Sequence, residues 1–208
     1  TNVLFNLASI LPVAQVNENL GSLLIFNSYA QLHRFIADNG HLYRIWPSGW
    51  QASTREYLYY SVFNDLLFPH YKVHGSIPSL TCRRFLVDWA RRFYKEHALP
   101  QVPVTVNIRN NKEFGTHRNL NMESWLEFFQ YCETAYPAKF IVICAASEID
   151  ERLRDCKNVI LAKDYRTGVE QDLALIHSSA IHMGASSGPA AMAWFSTKPY
   201  LIVNTDLN

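Results

Sequence analysis

The chain of 208 residues carries 19 basic against 18 acidic side chains, a formal net charge of +1, and 49% of it is hydrophobic. That is enough apolar material for one α/β domain, or for one complete domain with part of another. The balanced charge gives no composition-level argument for a nucleic-acid or polybasic membrane partner, and without charge runs or low-complexity tracts nothing marks a long disordered segment.

Four cysteines, Cys82, Cys132, Cys144 and Cys156, form neither a CxxC pair nor a zinc-ligand spacing. They read as free core cysteines of a reducing compartment, which makes the cytoplasm the expected location; two disulfides remain open. No apolar run is long enough for a membrane span, and the first residues lack the basic-then-apolar order of a signal peptide. The chain starts at Thr1 and stops at Asn208 directly after a predicted strand. Its ends therefore look like the limits of a processed product or of part of something longer, in which a further helix follows.

Taken in order, Asn2 to Leu11 is apolar without a pattern. Leu23 to Phe26 is a short strand candidate, and Tyr29 to Ala37 has helical spacing that Asn39-Gly40 stops. His41 to Trp46 alternates weakly, as a strand would. Thr54 to Phe68 spaces its aromatic residues like a helix capped by Ser53 or Thr54 and ended by Pro69 and His70, with a loop from Tyr71 to Pro78. Ser79 or Thr81 then caps an amphipathic helix through Leu99. Phe85, Leu86, Trp89, Phe93 and Tyr94 mark its apolar side, and Arg83, Arg84, Arg91, Arg92 and Lys95 fit a solvated face better than a nucleic-acid surface.

A regular rhythm follows Pro100 and Pro103. Strands are expected at Val104 to Ile108, Phe140 to Cys144, Val159 to Leu161, Ile181 to Met183 and Tyr200 to Val203. Helices are expected at Met122 to Ala135 (from Asn121), Ile149 to Asp155, Val169 to Ser178 and after Gly188. Five strands alternating with helices specify an α/β fold with a doubly wound parallel sheet, whose ligands sit beyond the carboxyl ends of the strands. The expected division is an N-terminal α/β and helical region, residues 1–99, and a sheet domain, residues 100–208.

The loops on that rim carry the candidate chemistry. The first holds Asn107, Arg109, Asn110, Asn111, Glu113, His117, Arg118 and Asn119. Arg109, directly after a strand, suits a rigid guanidinium contact with phosphate, and Arg118 is a second candidate. The structural alternative pairs Arg109 with Glu113 or a helix carbonyl. Ser147, Glu148 and Asp150 in the second loop fit helix capping. In the third, Tyr165 can stack on a base, and Thr167 can cap the helix bearing Gln171 and Asp172. The fourth is a corner of small residues, Gly184 to Gly188. There Ser186 and Ser187 offer hydroxyls, Gly188 permits close approach, and Pro189 suits the first helical position, so the corner is either a phosphate cradle or an ordinary strand-to-helix turn. His182, inside a strand, reads as an interior histidine, and no cluster has metal-ligand spacing. GxGxxG, a Walker lysine and HExxH are all missing, against the dehydrogenase, P-loop and zincin readings.

The run VTVNIRNN with the later Arg118-Asn119, together with EQDLALIHSSAIHMGASSGPAAMAWFSTKPYLIVN, resembles the nucleotide-binding C-terminal domain of glycosyltransferases with the two-Rossmann GT-B architecture, in particular the fucosyltransferase-like branch. The resemblance covers roughly Pro100 to Asn204. It implies a Rossmann-like domain whose substrate is a nucleoside-diphosphate sugar, needing no cofactor and no metal, and a carbohydrate or glycoconjugate acceptor held by an N-terminal domain that residues 1–99 would form only in part. It also implies that Arg109 contacts the β-phosphate, that Ser186, Ser187 and the Gly188 N–H hold the other oxygens, and that Asp172 or Gln171 lies near the ribose or base. Glu113 and His117 are the candidates for the base that activates the acceptor. The family pattern has a histidine two residues before its first arginine and a second arginine after it; this chain has Asn107, Arg109 and Asn110. A nucleotide-sugar epimerase or other transferase on this fold, and a non-catalytic α/β binding or assembly domain, are the alternatives.

Overall fold

The computed structural model describes residues 14, 16, 20–43, 67–77, 79–113 and 115–203. The chain divides into two compact units, one of Thr1–Phe5 and Gly21–Pro78, the other of Asn6–Leu20 and Ser79–Asn208.

In the first unit, α1 (Tyr29–Asn39) begins at Ser28, whose hydroxyl accepts from the Gln31 N–H at 3.2 Å. The strand expected at Leu23 to Phe26 is not formed; among the described residues this four-residue run has no partner ladder to satisfy its backbone. Gly40–Leu42 is a 3₁₀ turn where a strand was expected from His41, and the rest of that segment lies outside the described residues. So does most of the expected helix Thr54 to Phe68. Its end is corrected: Leu67 already has helical backbone angles, and the chain stays helical through Pro69 and His70 to the end of α2 (Phe68–His74). Proline is tolerated in a first turn because the N–H it lacks has no partner there, and Gly75, at φ +67°, supplies the left-handed stop.

In the second unit, α3 (Arg84–His97) starts later than expected. Neither Ser79 nor Thr81 caps it; residues 79–83 run extended, with the Leu80 N–H donating to Phe195 O at 2.7 Å. Its buried stripe is Leu86, Ala90, Phe93 and Tyr94, at helical spacing, and Phe85 is exposed instead of belonging to it. Arg84 and Arg91 reach Asp88 on the solvated face.

The sheet has the expected five strands: β1 (Val102–Asn107), β2 (Ala138–Ile143), β3 (Val159–Leu161), β4 (Ile181–Ala185) and β5 (Tyr200–Val203), all parallel in the order β3-β2-β1-β4-β5. Helix α4 (Met122–Ala135) is capped by Asn121, whose Oδ1 accepts from the Ser124 N–H, and α5 (Val169–Ser178) starts at Gly168. The expected helix at Ile149 to Asp155 is only a 3₁₀ turn, Glu151–Asp155, behind an Asp150 cap. After Gly188 the chain makes a 3₁₀ turn, Gly188–Ala190, and a four-residue α6 (Ala191–Trp194). Alternation along the strands sends Ile141, Ile143 and Ile160 toward α3, α5 and α6, and Val104, Val106, Phe140, Val142 and Leu161 toward α4 and Leu153. Both faces are therefore covered, which is the doubly wound, Rossmann-like arrangement. None of the four cysteines is in a disulfide, and all four are buried. Among the described residues no helix is long and apolar enough to cross a membrane.

Candidate functional site

A doubly wound sheet has one place where consecutive connections leave in opposite directions, and the crevice there is not filled by a crossover. Here it lies between β1 and β4, with Asn107 beside Gly184 in the ladder. A cavity of about 330 Å³ opens at these strand ends, lined from β1 by Asn107 and Arg109, from the β2 and β3 loops by Cys144, Glu148 and Lys163, and from beyond them by Asp172, Ser187 and Gly188. A larger cavity, about 410 Å³, sits at the amino ends of β2 and β3 around Pro137 and Lys157. The switch-point cavity is the better candidate because helix starts and strand-end loops converge only on the carboxyl side.

Asn107 is the keystone of the crevice. Its Nδ2 donates to Ile143 O at 3.0 Å and its Oδ1 accepts from Ser187 Oγ at 2.6 Å, so one side chain ties the ends of β2, β1 and β4 together. Its backbone packs so closely on Gly184 that a Cβ there would collide with the Asn107 carbonyl oxygen; Gly184 also sits at φ +137°.

The β1 loop is braced as a unit. Asn111 and Asn119 exchange two hydrogen bonds, of 3.0 and 2.7 Å, and Glu148 accepts from the Asn110 N–H and Asn111 Nδ2. Glu148 was read as a capping residue; it holds this loop instead. Gly115, at φ +62°, turns the chain so that Arg109 and Arg118 meet over it: a Cβ at Gly115 would stand 2.8 Å from Arg109 Nη2 and 3.2 Å from Arg118 Nη2. The Arg109 Nε also donates to Gly115 O at 3.4 Å. Two guanidinium groups thus share one side of a glycine at the cavity mouth. Glu113 and His117 are on the exposed part of this loop and do not line the cavity.

At the β3 side, Lys163 Nζ donates to Thr167 O and to Asp172 Oδ2, at 2.8 and 2.6 Å, while Thr167 Oγ1 donates to Asp172 Oδ1 at 2.6 Å. Burial raises the Asp172 carboxyl, and the bonds from Lys163 and Thr167 pull the other way. Thr167 therefore serves Asp172 instead of capping α5; Gln171 does the local work, its Oε1 accepting the Gly168 N–H. Tyr165 lies against Phe93 and His97, at ring separations of 5.1 and 4.5 Å, outside the cavity lining, as do Ser186 and Gln171. Burial, reinforced by Glu148, pushes the Cys144 thiol up to about 11, so it lines the cavity as a neutral group.

Of the candidate residues, the crevice brings together Asn107, Arg109, Asp172, Ser187 and Gly188, with Arg118 reaching Arg109 at its mouth. Lys163, Gly115 and the bracing role of Glu148 were missed. A lysine and an aspartate nine residues apart on either side of a loop were the only available sign of the Lys163–Asp172 pair. Comparison of the chain with protein-family models, with curated proteins and with solved structures finds no match. The functional argument therefore rests on this crevice.

Proposed function

We propose that the second unit binds a nucleoside-diphosphate sugar and serves as the donor-binding part of a glycosyltransferase. The carrying observation is the convergence of Arg109 and Arg118 over Gly115 beside the switch-point cavity. Two guanidinium groups brought to one glycine offer planar, forked donors that match the oxygens of a diphosphate. Guanidinium groups are also suited to stabilising the charge that grows on a departing diphosphate. The helix following Gly188 is too short to contribute much dipole, so the arginines supply the positive field.

Calorimetric titration of the whole chain with UDP, GDP, ADP and dTDP tests this. One of them is expected to bind with a micromolar Kd, and Arg109→Ala is expected to weaken it at least about tenfold, the loss of one charge-assisted contact. No binding by any of the four removes the proposal. A second reading, nucleotide binding without transfer, is favoured by the position of Glu113 and His117 outside the cavity lining. Under it, the sugar conjugate of the bound nucleotide persists unhydrolysed over hours, whereas a transferase hydrolyses it slowly when acceptor is withheld.

A further inference from the structure

We propose that the inner wall of the cavity selects a hydroxyl-bearing ring, a ribose or a hexose, through Ser187 acting as hydrogen-bond acceptor. Asn107 is the positioning residue that fixes this polarity. The inference rests on the nucleotide-sugar reading for the identity of the ring, and on the geometry of Asn107 for the polarity.

The Ile143 carbonyl can only accept, so the Asn107 atom facing it at 3.0 Å is the amide nitrogen. The atom facing Ser187 is then Oδ1, which has no proton, and the 2.6 Å bond uses the hydroxyl proton of Ser187. Asn107 is only 6% exposed, and turning its amide over would set Oδ1 against the Ile143 carbonyl oxygen. Ser187 Oγ consequently offers lone pairs to the cavity. A phosphate oxygen, itself an acceptor, gains nothing from them; a hydroxyl donates to them.

The other inner-wall groups agree. Asp172 and Glu148 are carboxylates whose oxygens each hold one donor and retain lone pairs, and two of the Lys163 protons are already given to Thr167 O and Asp172. An anion set among these acceptors meets two carboxylates against the single Lys163 ammonium already bound to Asp172, while a neutral polyol can donate to their lone pairs. The lining thus combines the acceptors Ser187, Asp172 and Glu148 with the Arg109 guanidinium, which Arg118 approaches over Gly115.

Three probes separate the parts of the ligand: inorganic pyrophosphate, the four nucleosides (uridine, guanosine, adenosine, thymidine), and the matching nucleoside diphosphates with their 2′,3′-dideoxy analogues and hexose conjugates. Ser187→Ala is expected to weaken the hydroxyl-bearing probes about tenfold, the loss of one hydrogen bond at a desolvated site, and to leave pyrophosphate unchanged. Ser187→Thr, which keeps the hydroxyl and suits the extended backbone at this position, restores them. Asn107→Leu, which frees the hydroxyl proton, lowers the ratio of nucleoside to pyrophosphate affinity without weakening pyrophosphate; a merely structural role would weaken both. Loss of the Ser187 effect with the dideoxy nucleotide assigns the ribose, and its persistence there but not without the hexose assigns the sugar. Equal weakening of pyrophosphate and nucleotide by Ser187→Ala overturns the inference and makes the corner a phosphate cradle. Nucleoside binding that depends on Ser187, with no gain from a diphosphate, keeps the inference and removes the proposed function; binding of no probe removes both.

Discussion

At the scale of single residues, the α3 side of the sheet contains a second buried hydrogen-bond chain. Ser179 Oγ donates to Ile176 O at 3.0 Å, and Thr105 Oγ1, 3.4 Å from Ile181 O, lies 3.0 Å from both Ser179 Oγ and His182 Nδ1. The His182 Nε2 has no hydrogen-bond partner among the described residues. Burial, with the Lys198 charge adding to it, holds the imidazole down at about 4 against an ordinary 6.5. Between those values the unfolded chain takes up a proton that the folded chain refuses. The contribution of His182 is thus complete above about pH 6.5 and is lost as the pH falls toward 4, amounting to roughly 3 kcal/mol over the window. Urea unfolding at pH 7 and pH 4.5 should show a larger acid destabilisation for the natural chain than for His182→Gln, and equal losses would refute the assignment. The interior position of His182 was legible from its place within an apolar strand. Its contact with Thr105 was not, because Thr105 approaches it only through the pairing of β1 with β4.

At the scale of elements, what the sequence carried locally was readable, and what depended on neighbours was not. α4, α5, β3 and β5 match their expected bounds because each is delimited by its own residues: Asn121 caps α4, Gly168 precedes α5, and prolines or polar loops flank the strands. The start of α3 was misread because the segment 79–83 spends its backbone on Phe195, a partner more than a hundred positions away. The site divides the same way. Arg109 and Ser187 were visible as strand-end residues on one rim, but the meeting of Arg109 with Arg118 requires the left-handed turn at Gly115, and the Lys163–Asp172 pair requires the β3 loop to fold back on α5. β4 gives a direct check of the crevice. Gly184→Ala places a methyl group against the Asn107 carbonyl at a φ that side chains rarely adopt, and it should cost about 2 to 3 kcal/mol in denaturant unfolding. A loss under half a kilocalorie would mean that β1 and β4 do not approach as described.

For the whole molecule, the covering of the sheet decides where an independently stable unit begins. The division proposed from the sequence starts the sheet domain at residue 100, after Leu99, whereas the compact unit resumes at Ser79. The difference is α3. It lays Leu86, Ala90, Phe93 and Tyr94 into the cluster that holds Ile141, Ile143, Leu175 and Ile176, and the Tyr94 hydroxyl donates to Leu175 O at 2.6 Å. Each large side chain so buried contributes about 1.5 to 3 kcal/mol, so the stripe is worth an appreciable part of the roughly 5 to 15 kcal/mol that separates a folded domain from its unfolded chain. Parallel strands also cannot leave a face uncovered, since they are apolar on both sides. A fragment of residues 100–208 should therefore lose cooperative unfolding and bind a hydrophobic dye, while the full chain does neither. In the full chain, Phe93→Ala should lower stability by about 3 to 5 kcal/mol, and Phe85→Ala, on the exposed side of the same helix, by less than about 0.5. A fragment 100–208 with a sharp transition and ordinary near-ultraviolet dichroism would show that the sheet stands without α3 and would place the boundary at residue 100.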